Sequence, residues 1–183
     1  MGDQLLIRLC SPTLAGLKTG NLFTVDVENR ADFNREVREF NLRLADKGIR
    51  MIPVRYWKGH VLIYLYRPEY LKRDFANTQV CRILKEKGYT YSNADRCVAE
   101  LARHLAKDQQ FPHEIGLFLG YPVEDVLGFM NSPEEGVMYT GFWKVYGNKD
   151  AALKIFDKYK KCTEAYSRAH SCGVSLEQLT VAG

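Results

Sequence analysis

The chain has 183 residues, of which 46% are apolar and 26% charged; this is the make-up of one folded domain with a buried core, and it excludes a disordered, collagenous or coiled-coil chain. Lys and Arg number 26 against 22 Asp and Glu, a formal net charge of +4. Successive thirds of the chain carry +3, +2 and −1, so nothing concentrates the cations that phosphate contacts require, and nucleic acid is set aside as a partner.

No membrane segment is expected. The longest apolar run, Val61–Tyr66, is six residues, against the ~20 that span a bilayer. Asp3 and Arg8 interrupt any secretory leader, and Leu6 stands where a myristoylation signal needs Ser or Thr. The expected location is the cytoplasm, where Cys10, Cys81, Cys97, Cys162 and Cys172 would be free thiols. No Cys-x-x-Cys and no close Cys/His pair occurs, so no metal site is expected.

In chain order, Gln4–Leu9 has the composition of a short buried strand. Ser11-Pro12 reads as the N-cap and first residue of a helix that stops at Gly20-Asn21. Leu22–Val27 reads as a second strand. Asn29 to Lys47 is helical, with Phe33, Val37, Phe40 and Leu44 on one face, Asn29 as cap and Gly48 as stop. Ile49–Tyr66 reads as a β-hairpin turning at Lys58-Gly59, with Pro53 marking an edge or a bulge. Pro68 ends that element. Asp74–Lys87 is a helix with Ala76, Val80, Ile83 and Leu84 inward. Ser92 and Asp95 start another, with Ala94, Val98, Leu101 and Leu105 as its stripe.

Phe111–Pro133 holds two short helices, with Pro112 and Pro122 at first-turn positions. Residues 137–146 alternate and are rich in aromatics, which predicts a strand with a bulge at Gly141. Asn148 caps the longest helix, which runs to about Cys172 and stops at Gly173. Ser175 and Gln178 form a capping box for a last turn. The expected architecture is a single α+β domain over residues 1–183. It has about five mostly antiparallel strands packed with six to eight helices, because strands and helices do not alternate strictly.

Three segments carry candidate chemistry. At the predicted helix start, free N–H groups and the helix dipole would stabilise a Cys10 thiolate, making it a candidate nucleophile. The same donors, with Ser11, Thr13 and the Lys18 ammonium, would hold an anion. The bland reading is that Cys10 is a buried apolar side chain and Ser11-Pro12 a cap. In Pro112–Gly116, His113 and Glu114 are candidates for acid–base work, although adjacent helical residues diverge by about 100°. Along 137–146, Lys144 and Tyr146 could contact a ligand or ring system, or the strand could be half core and half surface.

These same segments carry a resemblance. Cys10–Lys18, the run Phe111 to Pro122, and Trp143–Gly147 resemble the bacterial domain-of-unknown-function 3793 family, in order and spacing from Leu5 to Cys172. The resemblance implies a single-domain cytoplasmic protein and no assigned activity, cofactor or catalytic residue.

The sequence thus points to a protein that binds a small molecule or small anionic ligand, with a thiol-dependent enzyme as its stronger form. The site would be formed by the Cys10–Lys18 loop and the Pro112–Gly116 helix start. The alternative is a non-enzymatic adaptor that meets a protein partner through residues 137–146. No particular cofactor or oligomeric state is implied.

Overall fold

The computed structural model describes residues 1–90, 93–107 and 111–183. Its centre is a three-stranded antiparallel sheet of β1 (Gly20–Asp26), β2 (Arg50–Trp57) and β3 (His60–Tyr66), in the order β1-β3-β2. The central position of β3 explains its unbroken apolar run. Val61, Ile63 and Leu65 face one side of the sheet and Leu62, Tyr64 and Tyr66 the other, and both sides are buried. The β2–β3 turn needs two consecutive left-handed residues, Lys58 (φ 41°) and Gly59 (φ 80°), the arrangement that matches strand twist. Pro53 lies on the edge strand at a register shift between Pro53 and Arg55, as expected of a residue with no N–H to donate.

Helices cover both faces. On one side lie α1 (Asp3–Leu14), α2 (Arg30–Arg43) and the short α9 (Leu176–Leu179). On the other lie α3 (Pro68–Phe75), α4 (Thr78–Glu86), α5 (Ala94–Lys107), α6 (Ile115–Phe118) and α7 (Val123–Asn131). A small hairpin of β4 (Tyr139–Thr140) and β5 (Lys144–Val145) packs Trp143 and Val145 against Ala152, Phe156 and Tyr159 of α8 (Lys149–Ser171). Helix α8 also packs along α1. The α+β class stands.

Five expectations change. Pro112 and Pro122 lie before their helices rather than in the first turns, since α6 starts only at Ile115 and Pro122 is the N-cap of α7. Residues 4–9 are helical, not a strand, and α1 continues through Ser11-Pro12. A six-residue segment with four apolar residues fits either state, and here Leu6, Ile7, Cys10 and Leu14 form one helical face. Pro12 is tolerated because α1 ends two residues later, so it forfeits only the bond to the Arg8 carbonyl. Pro68 not only ends β3 but opens α3. The predicted helix from Asp74 to Lys87 is cut by Asn77, whose side chain accepts the amides of Gln79 (2.9 Å) and Val80 (3.3 Å) to start α4. Residues 137–146 form two two-residue strands rather than one, with Gly141 in the turn. A methyl group on Gly141 would collide with the Phe156 ring.

Asn29, Asn148 and the Ser175/Gln178 box cap their helices as read from the sequence. Ser92 lies outside the described residues; the start of α5 is held by Asn93, whose side chain accepts the Arg96 amide at 3.0 Å. Among the described residues, no helix is long and apolar enough to cross a membrane.

Candidate functional site

Helix α1 ends in a tight loop. The amides of Leu17 and Lys18 both donate back to the Pro12 carbonyl, at 2.8 and 3.1 Å, which folds the loop inward. There it lines a cleft of about 610 Å³ with Tyr70, Arg73 and Asp74 of α3, the Gly120–Val123 segment, and Lys158 and Tyr159 of α8. Arg67 braces the end of α1 behind this loop. Its guanidinium is buried and donates to the carbonyls of Thr13 (2.7 Å), Leu14 (2.8 Å), Lys47 (3.2 Å) and Val181 (2.7 Å). At the end of α1 it adds to the backbone donors that the Thr13 and Leu14 carbonyls already have, the amides of Gly16 (3.2 Å) and Val181 (3.0 Å).

Lys18 is the distinctive group of this cleft. It is only 8% exposed. Its Nζ donates to Asn21 Oδ1 at 2.9 Å and stands 5.1 Å from the centre of the Tyr121 ring. Asn21 is itself fixed by the Thr13 hydroxyl (3.3 Å) and by donation to the Leu9 carbonyl. Among the described residues, no carboxylate pairs with Lys18. Burial pushes its ammonium down from 10.5 to about 8, opposed by the attraction of the Cys10 side chain. Asp74, the acid of the cleft, is already engaged by the Thr19 hydroxyl and by Arg73 (3.1 Å). Arg73 and the exposed Lys158 add positive charge at the mouth.

A second cavity, of about 180 Å³, adjoins the first through Tyr121, which lines both. His113, Ile115, Val126, Phe129, Trp143 and Lys144 form much of its wall. The hairpin side is held by Asp125, which is 3% exposed. Its carboxylate accepts the Trp143 indole N–H (2.7 Å) and the amides of Tyr146 (2.8 Å) and Gly147 (2.9 Å).

The sequence-predicted residues divide between these places. Lys18 lines the cleft, and His113 and Lys144 line the smaller cavity. Thr13 reaches Lys18 only through Asn21. Ser11 is buried and donates to the Ile7 carbonyl. Cys10 lies well inside α1 rather than at a helix start, so no free N–H groups surround it. It is fully buried, and burial pushes its thiol up to about 12, outweighing the pull of Lys18. Glu114 turns away from His113, as adjacency dictates, and its carboxylate accepts the Tyr89 hydroxyl at 2.9 Å. The Tyr89 oxygen stands 3.0 Å from His104 Nδ1. Tyr146 donates to the Pro133 carbonyl (2.8 Å) and lines neither cavity. Neither cavity holds both Cys10 and His113.

Sequence reasoning missed Arg73, Asp74 and Asp125. Nothing local distinguishes Arg73 and Asp74 from a solvated helix face. Asp125 in the first turn of α7 looks like an ordinary dipole partner; its three hydrogen bonds come from residues 18 to 22 positions away. Among the described residues, no three His, Cys, Asp or Glu side chains converge as metal ligands.

No curated protein and no solved structure matches the chain. The family described as Protein of unknown function (DUF3793) matches residues 6–180. Matched over nearly its whole length, with the cleft loop, Tyr121 and the hairpin all inside the match, the chain belongs to the DUF3793 family of proteins of unknown function.

Proposed function

We propose that this protein binds a small anion, a carboxylate or a phosphate, in the cleft lined by Lys18. The observation that carries the reading is a buried ammonium with a neutral amide as its hydrogen-bond acceptor. A buried charge without a counter-ion is costly, and an anion entering the cleft supplies one. Arg73 and Lys158 stand at the mouth, where they draw an anion in. The reading is one of binding. Cys10 lies off the cleft and its thiol resists ionisation, so a thiol-dependent reaction finds no support beside it.

Isothermal titration with inorganic phosphate and with succinate tests the reading. One of them should bind saturably at pH 7, and Lys18→Met should abolish that binding while the protein stays folded. Unchanged affinity in Lys18→Met would refute it.

The hairpin favours a second reading. Met138, Tyr139 and Phe142 are exposed apolar side chains beside one another, as at a protein contact. Sedimentation of the wild type against Phe142→Ser tests this; a concentration-dependent species lost in the variant would support it.

A further inference from the structure

We propose that the smaller cavity is a separate binding site for a single-ring aromatic carboxylate, a ligand of benzoate size. Volume sets the scale. The cavity measures about 180 Å³, and an apolar protein cavity of about 150 Å³ accepts benzene. A single ring fits this volume.

The walls suit a flat ring. Tyr121 stacks on Trp143, with centroids 4.8 Å apart and planes 28° from parallel. Phe129 faces the cavity from α7, with Ile115 and Val126 closing the remainder. Aromatic walls offer both faces and edges to a bound ring. These walls are also pre-formed. The Trp143 indole is tied to Asp125 at 2.7 Å, and the Tyr121 hydroxyl donates to the Phe142 carbonyl at 3.3 Å. Little ordering is then left to be done on binding.

Charge sets the orientation of the ligand. His113 and Lys144 both gather at Phe129. The His113 ring meets Phe129 edge-on at 4.9 Å, and Lys144 Nζ stands 5.7 Å from its centre. Lys144 donates to the Pro133 carbonyl (2.9 Å) and to Glu134 (2.7 Å); an ammonium carries three donors, so one remains for a ligand. The opposite charge, Asp125, sits at the Trp143 end, and both its oxygens are engaged by the hairpin. A ligand carboxylate is repelled from that end, and at the other it takes Lys144 in place of Glu134, whose side chain is 85% exposed. The ring fills the space towards Trp143.

This site is distinct from the Lys18 cleft, and the two can be tested apart. The intact protein is titrated with benzoate and, separately, with toluene, followed by calorimetry and by tryptophan emission. Trp143 is one of only two tryptophans, so its signal is readable. Benzoate is expected to bind saturably at one site and to change the emission. Lys144→Gln should weaken benzoate about tenfold, the size of one lost charge-assisted hydrogen bond, with an unchanged urea midpoint and unchanged toluene binding. Lys18→Met should leave benzoate binding as it is. No saturable benzoate binding would overturn the proposal. So would equal affinity in Lys144→Gln, or loss of benzoate binding in Lys18→Met, which would place the ligand in the cleft.

Discussion

Lys18 and Cys10 are neighbours whose burial drives their proton affinities in opposite senses, and each leaves a signature in pH. The Lys18 amine titrates near 8 in the fold against 10.5 free. Below pH 8 both states are protonated and the fold bears the full cost of the buried charge. Between 8 and 10.5 the unfolded chain binds the extra proton, so stability climbs as pH rises. Cys10 works the other way. Its thiol ionises near 12 in the fold against 9 free, so stability falls as pH rises from 9 to 12. Between pH 8 and 9 the raised thiols of Cys10, Cys97 and Cys162 lower the stability of wild type and Lys18→Met alike, so in urea unfolding the wild type should gain about 1 kcal/mol relative to Lys18→Met over that interval. At pH 7, Lys18→Met should be more stable than the wild type by about 1–3 kcal/mol; a less stable variant would contradict the picture of an uncompensated charge. Cys10 should resist iodoacetamide at pH 9 until urea is added, while the exposed Cys172 reacts at once, as peptide mapping by mass spectrometry would show.

Among the elements, the hairpin and the residues just after it make three hydrogen bonds to a single side chain outside them. Asp125 of α7 holds Trp143, Tyr146 and Gly147. Removing it leaves the buried indole N–H without a partner, at about 1–3 kcal/mol, and frees two part-buried amides at a smaller cost. Asp125→Ala should therefore lower stability by about 2–4 kcal/mol and shift Trp143 emission to longer wavelength. An unshifted emission would mean that the hairpin holds itself. The elements that the sequence reveals are those fixed by local chemistry: the Asn29 and Asn148 caps, the Ser175 box, the Lys58-Gly59 turn and the stripe of α2. Those it hides are settled by partners far away in the chain. Residues 4–9 are helical because α8 and the sheet bury one face of α1, and no periodicity within six residues reveals that. The turn of the hairpin falls at Gly141, where Phe156 of a later helix leaves no room for a side chain.

At the scale of the whole molecule, a three-stranded sheet separates two helical layers, and loops from both converge at one end. Arg67 links them, binding carbonyls at the end of α1, at Lys47 and at Val181. Arg67→Met should cost about 2–4 kcal/mol in urea unfolding, since it removes four charge-assisted hydrogen bonds that tie three segments together. A loss below 1 kcal/mol would show that these segments hold together without it. The candidate site residues were legible in the same uneven way. Lys18, His113 and Lys144 stand out in the sequence and do line cavities. Ser11, Thr13, Glu114 and Tyr146 stand out equally but are used for packing and internal hydrogen bonds. Cys10 depended on a helix boundary that the fold places elsewhere. Tyr121, which separates the cleft from the smaller cavity, gains its role only when α8 and the hairpin close around it.

The central claim is that the cleft needs an anion to balance Lys18. The most direct measurement is the affinity for phosphate and for succinate between pH 7 and 9.5, in the wild type and in Lys18→Met. Saturable binding at pH 7 that weakens progressively above pH 8, and that is absent in Lys18→Met, is the predicted result. Binding of equal strength at pH 9.5, or in the variant, would contradict the account.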